Sequence, residues 1–268
     1  TPSSSVYRYR ALRYPPFTWF GQRRCIRPSE VVLDRARLIL FYRNHGYPDV
    51  TVDTTVRRDG RALLLRFDVV EGRAIRVDSV GVSWMDTVPG AARILRGLPV
   101  RVGAAFDKHA IDAARDTILA RLGNAGYPWA QVLANYTTDR ERYTARVGLD
   151  ILPGTRTRIG RVEVVQQPRP GDSTPHVSPK LTRKLTGLRA GAIYRDRDVA
   201  TARRNLYLTE AYQNVVIERD SARANTGADS LVNLRVIVSE GFMRAVQLSG
   251  GYGTIDCFRG QGDMTFRS

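Results

Sequence analysis

Gly46-Tyr47-Pro48-Asp49-Val50-Thr51-Val52-Asp53-Thr54-Thr55-Val56 decides the fold. Glycine followed at once by Pro48 ends a helix and blocks its resumption. From Asp49 to Arg57 apolar and polar residues alternate, with Val50, Val52, Thr54 and Val56 on one side. Arg58-Asp59-Gly60 reads as a turn, and Leu63, Leu65, Phe67 and Val69 alternate again as far as Glu71-Gly72. Period-2 patterning on both sides of an Asp-Gly turn predicts a β-hairpin.

The same pattern recurs. Gly126-Tyr127-Pro128 leads into a strand, a turn at Thr138-Asp139-Arg140, and a second strand (Tyr143, Ala145, Val147, Leu149, Ile151) closing on Pro153-Gly154. A weaker copy runs from Ala211-Tyr212-Gln213 through Val215 and Ile217, with a loop at Asn225-Thr226-Gly227. It ends with Val232, Leu234, Val236 and Val238 before Glu240-Gly241.

A helix precedes each hairpin. Ser29 is placed as the cap of the first, whose face carries Val31, Leu38 and Tyr42. Asp107 caps the second, with Ile111, Ala114, Ile118, Leu122 and Ala125 as an apolar stripe. Val199, Ala202 and Leu206 mark the third. Strands at Ile75–Trp84 and Ile159–Val164, and short helices at Pro89–Leu95 and Pro179–Leu185, open the second and third units. The predicted unit is strand, short helix, long helix, strand, strand. Its closing glycines at 72, 154 and 241 stand 82 and 87 residues apart. That exceeds solenoid repeats, so each unit is a small α+β domain with its own core. The first lacks its opening strand and short helix, unless residues 1 to 27 replace them.

After Gly241 the pattern changes. Val246, Leu248 and Tyr252 alternate with small or polar residues up to Gly250-Gly251-Tyr252-Gly253, Asp256 to Gly262 reads as a turn, and Met264 and Phe266 start another strand. About ten residues with one apolar and one polar side fit a membrane β-strand.

Composition narrows the function class. Hydrophobic content of 43% and charged content of 25% suit a folded protein. No run approaches the roughly 20 apolar residues of a membrane-spanning helix. The opening Thr1-Pro2-Ser3 has neither an initiator Met nor a signal peptide, and reads as processed or truncated. Net charge is +16, almost all from arginine, the only lysines being Lys108, Lys180 and Lys184. Cys25 and Cys257 stand near opposite ends without a Cys-x-x-Cys or Cys/His cluster, which removes a structural zinc site of that kind. His45, His109 and His176 each lack a carboxylate at motif spacing and read as surface or helix-end histidines. Asp107, Asp112 and Asp116, interleaved with Arg115 and Arg121, read as a solvated helix face. Gly250-Gly251-x-Gly253 lacks the lysine and helix of a phosphate loop. No nucleophile elbow or metalloprotease motif occurs, so no enzyme, cofactor or metal is expected.

Three such units, with Gly-Tyr-Pro before two hairpins and a Gly-Gly-Tyr-Gly strand after the third, resemble the POTRA domains and first barrel strand of the BamA/TamA outer-membrane assembly superfamily. The resemblance covers roughly residues 28 to 268. It departs in the incomplete first unit, in Ala211-Tyr212 for Gly-Tyr, and in the missing remainder of the barrel. It implies tandem β-α-α-β-β domains over 1–73, 74–156 and 157–242, each a three-stranded mixed sheet with two helices. A truncated start of an antiparallel transmembrane barrel follows over 243–268. Gly46, Tyr47, Pro48, Gly126, Tyr127, Pro128 and Tyr212 are then structural, and Val246, Leu248 and Tyr252 begin the barrel.

It further implies an outer-membrane protein with residues 1 to about 242 in the periplasm, scaffolding accessory partners and guiding unfolded barrel proteins to insertion. Partners would be those unfolded proteins, periplasmic or inner-membrane accessory proteins, and outer-membrane lipid through the barrel. Binding would use sheet edges: Val50, Val52, Thr54 and Val56; Gln131, Leu133, Asn135 and Thr137; Asn214, Val216 and Glu218. Edge strands offer unpaired backbone groups to any extended chain. Two alternatives are a two-partner secretion transporter and an Arg-rich RNA-binding array. The latter lacks a Gly-x-x-Gly clamp and an aromatic stacking face, so nucleic acid is not expected.

Overall fold

The computed structural model describes residues 4–7, 28–59, 62–168, 172–220, 230–241, 244–253 and 257–266. The turns expected at Arg58-Asp59-Gly60 and Asn225-Thr226-Gly227 therefore fall partly or wholly outside the described residues, as does Cys25. By where its contacts concentrate, the chain divides into two units. One is Thr1–Ile118 with Val132–Leu152, the other Leu119–Gln131 with Pro153–Ser268.

The first unit holds two three-stranded sheets. Strands β1 (Ser4–Tyr7), β2 (Thr51–Asp59) and β3 (Ala62–Val70) form one in the order β1-β3-β2. β1 takes the place of the expected opening strand but runs antiparallel to β3. Helix α1 (Pro28–Asn44) supplies Val31, Leu38 and Tyr42, which pack with Tyr47 against Val50, Val52, Leu65, Phe67 and Val69. The helix begins at Pro28, so Ser29 lies inside its first turn instead of capping it. Proline is favoured there because its missing N–H has no helical partner.

The second sheet comprises β4 (Arg76–Ser83), β5 (Gln131–Asp139) and β6 (Thr144–Leu152) in the order β4-β6-β5, with β4 and β6 parallel. Its helices are α2 (Ala91–Leu95) and α3 (Lys108–Ala125). The Asp107 carboxylate accepts the His109 N–H at 2.8 Å as expected of a cap. Ile111, Ala114, Ile118 and Leu122 are buried. Asp139 ends β5 and accepts the N–H groups of Glu141 and Arg142 at 2.9 and 3.0 Å, which shapes the turn. Tyr143, expected in the strand, sits in that turn at φ 56°, and β6 starts at Thr144.

In the second unit β7 (Thr157–Gln167), β8 (Tyr212–Asp220) and β9 (Ser230–Glu240) form a sheet in the order β7-β9-β8. β7 runs parallel to β9 and β8 antiparallel to it. Helices α4 (Pro179–Thr186) and α5 (Asp196–Leu208) cover one side. Leu206, Tyr212, Val215, Val232, Leu234, Val236 and Val238 make the core. Strands β10 (Arg244–Gly253) and β11 (Cys257–Phe266) form an antiparallel pair. β11 begins at Cys257, so most of the turn expected over Asp256 to Gly262 is strand. Val246, Leu248 and Tyr252 pair with Met264, Gly262 and Phe258; the facing of their side chains lies outside the described residues. Gly250 and Gly251 are strand residues, as read from the sequence.

Candidate strand-pairing edges

β2, β5 and β8 each end a sheet, hydrogen-bonded to a neighbouring strand on one side only among the described residues. All three sequence-proposed segments therefore lie at edges. Side-chain facing differs among them. On β5, Gln131, Leu133, Asn135 and Thr137 are exposed, Leu133 by 59%, while Val132 enters the core. The Asn135 amide donates to the Asp150 carboxylate at 2.9 Å. Gly148 leaves room for it, since a β-carbon there would stand 2.3 Å from Asn135 Oδ1. On β8, Asn214, Val216 and Glu218 are likewise exposed.

On β2 the sequence picked the core side. Val50 and Val52 are buried and only Val56 is well exposed. A partner's side chains would meet Thr51, Asp53 and Thr55, which are exposed. Their signal was the polar half of the alternation.

The opposite edges are covered where they begin. Beside β4, Gly103 donates to Val77 O at 2.7 Å, Val77 to Ala104 O at 2.9 Å and Phe106 to Ile75 O at 2.8 Å. Beside β7, Gly191 donates to Ile159 O at 2.7 Å, Ile159 to Ala192 O at 2.8 Å and Tyr194 to Thr157 O at 3.0 Å. The register match reflects the repeated Gly-Ala-x-aromatic segment. β8 carries a partial cover of another kind. The Tyr207 hydroxyl, from α5, accepts the Val215 N–H at 3.1 Å and so occupies a backbone donor of an edge strand. No such side-chain acceptor meets β5 among the described residues, which leaves it the more open edge.

Gly-Tyr-Pro does more than end helices. Gly46 has φ 90° and its carbonyl accepts the Ile75 N–H at 2.8 Å. Gly126 has φ 105° and its carbonyl accepts the Thr157 N–H at 2.8 Å. Each glycine thus joins a helix end to the first strand of the next sheet. The following residue is held too. The Tyr143 hydroxyl donates to Asp49 at 2.6 Å, with the Arg73 guanidinium 4.7 Å from the Tyr143 ring centre. The Asp49 bond holds the Tyr143 proton and pushes that phenol up from its ordinary range. In the second unit the Arg219 guanidinium lies 5.1 Å from the Trp129 ring centre and donates to the Pro128 carbonyl. The third copy differs: Glu210 takes the left-handed conformation, and Ala211 O accepts the Gly241 N–H at 2.8 Å.

Glu240, of the Glu-Gly that closes the third repeat, is 1% exposed. Its carboxylate accepts the His176 and Val177 N–H groups at 2.8 and 2.9 Å and lies 3.2 Å from His176 Nδ1. Burial pushes its pKa up, but these three interactions outweigh burial and leave it below the ordinary range. The loop before α4 is thereby tied to the end of β9. Elsewhere charges are solvated as expected: Arg115 pairs with both Asp112 and Asp116. A cleft of about 680 Å³ beside β7 and β9 is lined by Arg161, Glu163, Asp220, Asn233 and Arg235. Among the described residues no three or more His, Cys, Asp or Glu side chains gather as metal ligands, and no helix is long and apolar enough to cross a membrane.

No family model matches the chain. It is 20% identical over 239 residues to the outer membrane protein assembly factor BamA of Neisseria meningitidis serogroup B, covering 88% of this chain and 29% of that protein. The chain therefore spans under a third of that curated relative. The solved structure of Haemophilus influenzae BamA POTRA3-5 superposes with a TM-score of 0.53 at 19% identity, over 78% of this chain and 80% of that one. Haemophilus ducreyi BamA lacking POTRA domains 1-3 has a TM-score of 0.48 at 19% identity, over 67% and 32%. The POTRA3-5 superposition shows the fold.

Proposed function

We infer that this chain, a POTRA-domain region of the Omp85/BamA superfamily, serves an outer-membrane assembly or secretion factor by presenting open sheet edges to extended chains. Its domains run over 1–73, 74–156 and 157–242 in the periplasm, and β10 with β11 begins a barrel in the outer membrane. The clients are unfolded outer-membrane proteins. Accessory proteins use the remaining edges, and lipid meets the barrel.

The observation that carries this reading is β5. Among the described residues it has a strand neighbour on one side only, and its outward side chains are exposed. A strand added there gains main-chain hydrogen bonds whatever its sequence, which suits a binder of many clients. Leu133 adds apolar contact for a side chain of that added strand, as Val216 does for a strand added to β8.

The test is site-specific photocrosslinking to an unfolded barrel protein, with the reactive group at Leu133, Asn135 or Thr137. Adducts should concentrate there relative to Asp116 on α3, which is also exposed but lies on no edge. Equal yield at Asp116 and on β5 sinks the edge assignment.

A further inference from the structure

The three histidines are remote from one another in sequence, yet the fold brings two together. His45 follows α1, His109 lies in the first turn of α3, and their ring centres stand 5.3 Å apart with planes at 45°. His45 Nδ1 lies 2.7 Å from the Phe41 carbonyl oxygen. A carbonyl can only accept, so Nδ1 carries a proton in this contact, and in the neutral ring the lone pair is on Nε2. A carbonyl bond on one nitrogen is the arrangement that fixes the tautomer and orientation of imidazoles that bind metals through the other. The Phe41 ring packs on His45 at 4.1 Å between centres and holds it further.

The spacing suits one shared ion. Two imidazoles bound to a tetrahedral ion at about 2.0–2.1 Å place their ring centres about 5 Å apart. His45 is half-buried and His109 exposed, so an ion can reach the pair from solvent.

We propose that His45 and His109 form a two-imidazole site for a borderline divalent transition-metal ion of the zinc, nickel or copper kind. Imidazole suits these ions, whereas calcium and magnesium prefer oxygen ligands. Water completes the coordination, since among the described residues no cluster of three or more ligand side chains forms. A bound ion ties the end of α1 to the start of α3, beside the Gly46–Ile75 hydrogen bond. It makes the joint between the first two sheets responsive to metal.

The experiment uses the chain without a polyhistidine tag. Calorimetric titration with Zn²⁺ should show one ion per chain, and pulsed electron paramagnetic resonance with Cu²⁺ should count two imidazoles. His109→Phe keeps a ring in place while removing the ligand; its fold is checked by circular dichroism and denaturation midpoint. Affinity should fall at least about tenfold and one imidazole should vanish from the Cu²⁺ spectrum. His176→Asn should leave both readings as they were. Failure of the wild-type chain to bind at millimolar ion overturns the proposal. Undiminished binding by a folded His109→Phe chain does so equally, as does loss on His176→Asn alone.

Discussion

At the scale of single residues, Gly46 and Gly126 play matching parts under different constraints. A β-carbon on Gly46 would stand 2.5 Å from the Phe106 carbonyl oxygen, at φ 90°. On Gly126 it would meet Ile193 Cγ2 and Arg156 Cγ at 3.0 and 3.1 Å. Backbone cannot yield as a flexible side chain can. Gly46→Ala should therefore cost about 2–3 kcal/mol and Gly126→Ala about 1 kcal/mol, read from denaturant unfolding. Glu240 gives a second residue-level expectation. Its folded pKa lies below the unfolded one near 4.3, so its contribution is full above that value and is lost as pH falls through the folded pKa. Hydrogen exchange at the His176 and Val177 amides should quicken, beyond its intrinsic pH dependence, only below about pH 4.3. Acceleration already at pH 6 would mean that a group other than Glu240 controls the loop. The motif glycines were legible because two of their neighbours are Tyr-Pro. Their role as joints was not, since Ile75 and Thr157 lie about thirty residues away in the chain.

At the scale of elements, alternation located β2, β3, β5, β6, β8 and β9 but did not say which side a partner would meet. Val50, just before β2, and Val52 within it fill the core, leaving Thr51, Asp53 and Thr55 outside. On β5 and β8 the proposed residues fall on the open side. A periodic pattern marks burial, and an interface made by backbone leaves no composition behind. The antiparallel β1 was illegible for a simpler reason: four residues are too few to carry a period. β11 hid in apparent turn chemistry, because Gly260 and Gly262 are strand glycines here. The Tyr207–Val215 bond yields a prediction at this scale. Removing the hydroxyl frees the Val215 N–H at the edge of β8. Tyr207→Phe should leave the core intact and raise affinity for an extended peptide about fivefold, worth about 1 kcal/mol for one hydrogen-bond donor returned to use. Fluorescence anisotropy with a labelled barrel-strand peptide measures it. Unchanged affinity would mean that β8 is not a pairing edge.

At the scale of the whole molecule, the repeat was legible because three closing glycines at similar spacing frame the same succession of periods. Binding partners were not, because edges become edges only once sheets exist. Charge is the property that composition states outright, and its effect separates from that of the edges. A net charge of +16 attracts anionic chains over a Debye length of about 8 Å at physiological salt and about 30 Å at 0.01 M. Edge hydrogen bonds act only on contact. Association of an acidic extended peptide should therefore slow by about tenfold or more between those salt concentrations, while dissociation stays within about twofold. Stopped-flow mixing at a series of ionic strengths resolves the two rates. A dissociation rate that climbs as steeply as association falls would make charge, not backbone pairing, the bond that holds the complex. The surplus arginine would then be the binding surface itself.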